Sequence, residues 1–227
     1  MLNMDPLKPS TGLGVLHLFC KSSGEVNVDL VEEAIQKLSS LDGQVITISI
    51  LGHKADMAFM VLSEDWVALR KFQTNIVNSG LVVVDSYVSL TEISEYAAGV
   101  PDDMRNARLY PKLPPENKSA WCFYPMSKRR NIDQNWFTLD FENRKNLMYE
   151  HGASGRKFSG RVLQVITGST GIDDFEWGVT LFCEKPDDLK DVVYTMRFDE
   201  ASAEYAEFGP FYSGIVGNLQ QIIETSF

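Results

Sequence analysis

The sequence is short of the residues that build disulfide frameworks, zinc sites and nucleic-acid-binding surfaces. Its 227 residues include three cysteines and three histidines, and 31 Asp or Glu outnumber 21 Lys or Arg, for a net charge of −10. Cys20, Cys122 and Cys183 are odd in number, far apart and placed inside apolar runs, which predicts buried thiols of a reducing compartment. A chain this acidic lacks the basic surface that general nucleic-acid binding requires.

Other signals are absent as well. No apolar run approaches the roughly 20 residues that span a bilayer, and the start MLNMDPLKPSTG lacks the basic-then-apolar pattern of a signal peptide. The sequence contains no zinc-ligand spacing, phosphate-binding glycine loop or nucleophile elbow. We therefore expect a cytoplasmic protein with no membrane span. Its hydrophobic content of 44% is ordinary for a globular chain with a sizeable core.

Apolar periodicity predicts the same order of elements twice: strand, helix, strand, strand, helix, strand. Two split β-α-β units in tandem predict an α+β fold, in which two ferredoxin-like halves form a dimeric α+β barrel within one chain, with helices outside. The predicted divisions are an N-terminal half (1–98), a polar, proline-rich linker loop (99–119) and a C-terminal half (120–227).

The expected bounds follow from periodicity, caps and stops. Strands are expected at 12–20, 44–52, 56–63, 81–93, 120–127, 161–168, 175–184 and 206–214. Helices are expected at 27–41, 65–80, 140–152 and 185–198. Asp140 is the expected N-cap of the third helix, Gly152 lies past its expected end, and Pro186 belongs to the first turn of the fourth.

Positive charge is concentrated in one segment of this acidic chain. Residues 121–161 hold eight Lys or Arg and four Asp or Glu, a net charge of +4. A local basic zone in an acidic protein predicts a small anionic ligand more than a polyanion. A solvated face of helix and loop is the alternative, and composition alone favours it.

The stretch WCFYPMSKRRN, residues 121–131, leads directly into that charge. As a strand it places Cys122, Tyr124, Met126 and Lys128 on one face. A phenol can donate a hydrogen bond or an electron, and a lysine can hold a carboxylate. A core tyrosine followed by a lysine at the strand's exit is the alternative interpretation.

Two more polar side chains are expected on apolar faces. His151 shares a helix face with Leu147 and Met148, which fits either a lone core histidine or the axial ligand of an iron porphyrin. Gln164 shares a strand face with Val162 and Ile166, so it needs either an amide network or a ligand. The other two histidines, in a strand and a turn, are expected to be structural.

Several motifs resemble the coproheme decarboxylases, a branch of the chlorite dismutase superfamily. They are FYPMSKRR, NWF, YEHGASGRKFSGRV, ITGSTGIDDFEWGVTLF and MRFDEASAEYAEFGPF, which lie in a match that runs nearly without gaps from Ala107 to about Gly214. The first half matches more loosely, through GHKAD and SYVSLTEISEYAAG. The resemblance implies the tandem ferredoxin-like barrel, a haem site in the C-terminal half and assembly as a homopentamer.

The resemblance also implies roles for individual residues. His151 falls on the proximal iron ligand, Tyr124 on the tyrosine that carries a radical, and Lys128 on the lysine beside the reacting propionate. Gln164 falls on the distal glutamine above the iron. On this resemblance, the inner face of the strand at 120–127 is expected to present Tyr124, Met126 and Lys128 to the porphyrin. The implied reaction is the hydrogen-peroxide-dependent conversion of iron coproporphyrin III, which is both substrate and redox centre, into haem b.

Five further positions fall on residues that hold or surround the porphyrin in this family. Arg108, Tyr96 and Ser202 fall on residues that bind propionates, Met126 lines the pocket and Arg156 lies near it. A transient contact with the coproporphyrin ferrochelatase is an implied partnership.

Four other functions stay open at the level of sequence. Chlorite dismutases place an arginine where this chain has Gln164, which ranks that activity low. Haem peroxidase activity fits as a side reaction. A non-catalytic haem or coproporphyrin carrier would need His151 and the basic zone but not Tyr124, and an interaction module would need no porphyrin at all.

Overall fold

The elements form largely where apolar periodicity and capping residues place them. The structure, a computed structural model, describes residues 4–97 and 99–227. Residues 1–3 and 98, which belong to the predicted N-terminal half, lie outside the described residues. Asp140 caps its helix as predicted, accepting a hydrogen bond from the Asn143 N–H at 2.9 Å, and Pro186 begins the next long helix.

The strands β1 to β11 span Gly14–Ser22, Gln44–Ile50, Met57–Ser63, Leu81–Thr91, Ala120–Lys128, Arg130–Asn131, Gln134–Asn135, Val162–Gly168, Trp177–Cys183, Ala206–Phe208 and Tyr212–Gly217. The helices α1 to α7 span Val28–Ser39, Trp66–Asn78, Asp102–Leu109, Phe141–Arg156, Pro186–Met196, Glu200–Ala203 and Leu219–Ser226, and a 3₁₀ turn covers Trp136–Thr138.

The main sheet closes into a barrel with helices outside, which confirms the predicted α+β class. Neighbouring strands pair antiparallel around the ring in the order β5, β11, β2, β3, β1, β4, β8, β9 and back to β5. Strand β10 pairs with β5 beyond the point where β11 stops. Closure leaves no long unpaired edge in this ring.

Strand alternation sends one set of side chains into the barrel. Trp121 and Phe123 of β5 lie there with Phe19 and Tyr212, and His17 stacks on Phe123 with ring centroids 4.2 Å apart. The barrel interior is therefore a packed core. The three cysteines are free and buried as predicted, and burial raises the pKa of Cys20 to about 12.

Two expected bounds of the C-terminal half are wrong. Helix α4 does not end at Gly152 but runs through Gly155 to Arg156, so His151 lies more than a turn before its end. A glycine inside a helix costs about 1 kcal/mol relative to alanine and does not by itself stop the helix. The expected strand at 206–214 is divided at residues 209–211 into β10 and β11.

Periodicity also missed three helices. Helix α3 lies within the expected linker loop, α6 has four residues, and α7 follows the last strand. The first two are short and polar, so they have little apolar stripe to detect. The division at 1–98, 99–119 and 120–227 stays a prediction.

Candidate functional site

The face of β5 that carries Tyr124 points out of the barrel, towards the helices of the C-terminal half. Trp121 and Phe123 occupy the interior instead, so the expectation that Tyr124 lies on the inner face is wrong. Across the outer face, Tyr124 pairs in register with Val179, which in turn pairs with Ile166. Ile166 is 44% exposed, so part of this apolar sheet face has no side chain over it.

Helix α4 is only loosely covered by the rest of the described chain. In α4, all of whose residues are described, no side chain is buried. The helix packs against α5 and α6, and Leu147 and Met148 are only partly buried against Trp136 and Tyr205. Phe141 is 41% and Tyr149 is 74% exposed, so this mostly polar helix also carries apolar surface that the described chain does not cover.

Tyr124 is a neutral phenol in an aromatic environment. It is 6% exposed, and its ring stacks on Phe211 with centroids 4.4 Å apart. Burial raises its pKa well above the usual range, the neighbouring Cys122 adds to the increase, and the charge of Arg197 opposes it. At neutral pH the phenol therefore retains a hydrogen that it can donate.

Lys128 is a buried cation at the end of the same strand. Its Nζ donates a hydrogen bond to the Ala201 carbonyl at 2.6 Å and lies 4.1 Å from the centroid of the Trp136 ring. Burial lowers its pKa to about 8, although the charges of Asp199 and Glu176 act in the opposite direction. A lysine so poorly hydrated gains more from an approaching carboxylate than an exposed lysine does.

His151 is held by a carboxylate that the sequence did not single out. Its Nδ1 lies 3.1 Å from both carboxylate oxygens of Asp199 and 3.3 Å from Ser202 Oγ. The Asp199 side chain is 1% exposed. Burial alone would raise the pKa of Asp199, but hydrogen bonds and charge from His151, with hydrogen bonds from Ser202, lower it.

This arrangement suits a metal-binding histidine. A carboxylate on Nδ1 fixes the ring and favours the tautomer that leaves Nε2 free to ligate a metal. Within the described ranges, His151 Nε2 has no hydrogen-bond partner, and no group of three or more His, Cys, Asp or Glu could hold a metal ion. The donor set therefore fits a metal that brings its other ligands with it, as an iron porphyrin does.

Helix α6 joins the two parts of the site. Asp199 caps it by accepting a hydrogen bond from the Ser202 N–H at 3.0 Å, and its Ala201 carbonyl accepts the Lys128 bond. One helix of four residues thus contacts both His151 and Lys128. The cap signal of an aspartate before EASA is present in the sequence, but a local cap says nothing about a histidine 48 residues away.

Tyr96 approaches from the N-terminal half. Its phenol oxygen accepts a hydrogen bond from Arg144 Nε at 2.9 Å, and Arg144 also donates to the Leu139 carbonyl at 2.6 Å. Burial raises the pKa of Tyr96, and a hydrogen bond to the neighbouring Glu95 carboxylate adds to the increase, while the hydrogen bond from Arg144 opposes it. Sequence reasoning counted Arg144 only as part of the basic zone.

The other four predicted site residues make fewer contacts with the described chain than Tyr124, Lys128 and His151 do. Met126 is partly buried beside Tyr124, and Arg156 lies 5.5 Å from the Tyr149 ring at the end of α4. Gln164 lies on the outer face of β8, and Arg108 lies on the exposed surface of α3. Neither Gln164 nor Arg108 makes a side-chain hydrogen bond or ion pair to the described part of the chain.

Comparison with known sequences identifies relatives over most of the chain. The family model described as chlorite dismutase matches residues 26–217. A coproheme decarboxylase of Staphylococcus carnosus (strain TM300) is 41% identical over 220 residues, covering 89% of this chain and 87% of that protein. A protein of Natronomonas pharaonis named for heme binding is 43% identical over 208 residues, covering 84% of this chain and 34% of the longer protein.

Solved structures give the same grouping. A heme-binding protein from Thermus thermophilus has a TM-score of 0.86 at 32% identity, with 98% of both chains covered. A mutant chlorite dismutase from Candidatus Nitrospira defluvii has a TM-score of 0.79 at 19% identity, with 95% of both chains covered. At that identity the second likeness bears on the fold alone.

Proposed function

Since the chain belongs to the chlorite dismutase family, we propose that it is a coproheme decarboxylase. It converts iron coproporphyrin III into haem b by oxidative decarboxylation of two propionates, with hydrogen peroxide as oxidant. The observation that carries this function is the pairing of His151 Nδ1 with the buried Asp199 carboxylate at 3.1 Å. It is accompanied by apolar surface that the described chain leaves uncovered, at Ile166 on the outer sheet face and along α4.

Porphyrin binding uses both the apolar and the basic parts of this region. The macrocycle would cover the exposed Ile166 and the apolar side chains of α4, and His151 Nε2 would ligate the iron. Gln164, on the outer face of β8, would contact the ligand from the sheet. Asp199 keeps the His151 ring oriented, and loss of such a partner typically costs about 10–100-fold in metal affinity or activity.

Four propionates need cationic and hydrogen-bonding partners. Arg108 and Arg156 supply charge, Tyr96 donates its phenolic hydrogen, and Ser202 donates its hydroxyl. The basic zone offsets the negative charge of the substrate in an otherwise acidic chain. Met126 lines the pocket beside Tyr124.

Chemistry takes place at Tyr124. Bound iron and peroxide would together supply two oxidising equivalents, of which the first would convert Tyr124 to a neutral radical. That radical would take a hydrogen atom from the β-carbon of a propionate and become a phenol again. The second equivalent would accept the electron that the carbon radical gives up, so that the carboxylate leaves as CO₂ and a vinyl group remains. Each propionate thus consumes one hydrogen peroxide and one proton and yields one CO₂ and two waters. Lys128 holds the reacting carboxylate.

The test is peroxide titration of the purified protein loaded with ferric coproporphyrin III. Mass spectrometry should show two successive losses of one CO₂ and two hydrogens, and the absorption spectrum should become that of haem b. The Tyr124→Phe variant separates an enzyme from a carrier, since a carrier binds porphyrin equally well without the phenol. Porphyrin that stays intact in the wild-type protein would leave only the carrier function.

Location and assembly are part of the proposal. In the ranges 4–97 and 99–227, no helix has both the length and the apolar content to cross a bilayer. We propose cytoplasmic location, assembly as a homopentamer and transient contact with the coproporphyrin ferrochelatase, all on the resemblance to the family. Sedimentation velocity of the porphyrin-loaded protein tests the pentamer, and a monomer or dimer would contradict it.

A further inference from the structure

The break between β10 and β11 lies opposite Tyr124 and Pro125. Phe123 pairs with Tyr212 on one side of the break, and Met126 pairs with Phe208 on the other. Two residues of β5 therefore face three of the partner segment, which is the count of a β-bulge. Pro125 has no N–H to offer the ladder, so regular pairing cannot continue there.

The extra residue reverses the alternation of side chains. In an unbroken strand, Phe208 and Tyr212 would point to the same face of the sheet. Instead, Tyr212 lies in the barrel interior, while Phe208 and Phe211 both pack in the outer cluster around Tyr124. The ring of Phe211 stacks on Tyr124 at 4.4 Å and 22°, and that of Phe208 lies 5.7 Å away at 56°.

The segment that carries Phe211 is held at both ends. At one end, the Gly209 N–H donates to the Pro125 carbonyl at 2.8 Å, and a Cβ on Gly209 would lie 2.6 Å from Pro125 Cγ. At the other end, Lys54 Nζ donates to the Phe211 carbonyl at 2.5 Å. Lys54 belongs to the loop between β2 and β3, so the N-terminal half helps to place a ring in the C-terminal site.

We propose that Phe211, anchored by Lys54, is a positioning residue that fixes the ring orientation of Tyr124 for hydrogen-atom transfer. The inference rests on the proposed function and deepens it. Hydrogen transfer requires reacting atoms held in contact geometry, and a misplacement of 1 Å can cost about a hundredfold in rate. A stacked neighbour restricts rotation of the phenol ring without contacting the substrate.

The experiment replaces Phe211 and measures orientation as well as rate. Phe211→Leu should lower decarboxylation by about tenfold or more, with coproporphyrin affinity close to that of the wild type. The tyrosyl radical, trapped by rapid freezing, should show altered β-methylene hyperfine splittings, because these report the torsion of the ring. In the porphyrin-free protein, the Tyr124 ring protons should lose the upfield NMR shift that stacking produces.

Two further variants guard against a purely structural effect. Phe158 is buried in the same cluster and forms no ring pair with Tyr124 in the described chain, so Phe158→Leu should lower stability without changing the radical spectrum. Lys54→Met removes the anchor but keeps the ring, and a smaller change of the same kind is expected. This variant keeps the test available if Phe211→Leu fails to fold.

The outcomes separate the two proposals. An active wild type with unchanged rate and radical spectrum in both Phe211→Leu and Lys54→Met overturns the positioning role alone. The same change in Phe158→Leu as in Phe211→Leu also overturns it. A wild-type protein that leaves coproporphyrin III intact overturns the proposed function, and with it the role of Phe211 in that reaction.

Discussion

Leu18 and Tyr124 occupy the same place in the two halves of the barrel, as the fifth residue of β1 and of β5. Both point to the outer face of the sheet, under helices. Leu18 is 0% exposed in a cluster with Phe59 and Val61. Tyr124 lies instead in a cluster with Phe211 and Met126, and its strand ends at the buried Lys128.

The helices of the two halves differ in how many side chains they bury. In the N-terminal half, α1 buries Val31, Ala34 and Leu38 against the sheet, and α7 adds Ile222 from the far end of the chain. In the C-terminal half, α4 buries no side chain. The N-terminal outer face is filled by the protein's own apolar residues. The C-terminal outer face is covered by α5 around Tyr124 but stays uncovered at Ile166, which is the part that the proposed porphyrin site uses.

The largest expected effect comes from removing the phenol oxygen on the ligand side. Tyr124→Phe should nearly abolish formation of haem b, because phenylalanine cannot form a phenoxyl radical. Its stability should change by at most about 0.5–1.5 kcal/mol, the net value of a typical hydrogen bond. Tyr87→Phe, in the barrel interior, is the matched control and should keep turnover. If Tyr124→Phe formed haem b at the wild-type rate, Tyr124 would not be the residue that forms the radical.

The equivalent position in the N-terminal half should respond in the opposite way. Leu18→Ala removes a fully buried side chain and should lower the free energy of unfolding by about 2–5 kcal/mol. The folded variant should still decarboxylate coproporphyrin III, since Leu18 belongs to the cluster under α1 and α2. Urea unfolding gives the first quantity, and peroxide titration gives the second. If turnover in Leu18→Ala fell as far as in Tyr124→Phe, the two positions would not differ in function as we predict.

Acid sensitivity should arise in the barrel interior, where His17 stacks on Phe123. Burial lowers the pKa of His17 from 6.5 to about 3, so between these values the unfolded chain binds a proton that the folded chain does not. Stability should therefore fall as pH drops below 6.5, by about 1.4 kcal/mol per pH unit from this group. In His17→Phe this part of the slope should vanish. An identical acid slope in both proteins would show that other groups cause it.

The smallest effect on the porphyrin-free protein is expected at the exposed sheet face. Ile166→Ala should change stability by no more than about 0.5 kcal/mol, as for other exposed positions. It should weaken coproporphyrin binding by about 1 kcal/mol, because the ligand would bury this side chain. Denaturation curves with and without porphyrin separate the two quantities. A large loss of stability without ligand would mean that this face is already filled.

Strand faces, helix starts and the family of this protein could be predicted from short stretches of its sequence. Alternation in β5 placed Tyr124, Met126 and Lys128 on one face, and Asp140 and Pro186 marked helix starts. Motifs around Tyr124 and His151 led to the family, which comparison confirms. The roles of the individual site residues stay predictions, since their test is chemical.

Tertiary structure decided what depends on contacts between distant segments. Which face of β5 points into the barrel follows from how the ring closes, because periodicity assigns residues to faces but not faces to an interior. Asp199 meets His151 only because α6 packs against α4. Phe211 reaches Tyr124 only because strand pairing stops between β10 and β11, opposite Pro125, and because Lys54 binds the Phe211 carbonyl. The sequence indicated the strands and long helices of both halves, and packing determined which distant side chains meet.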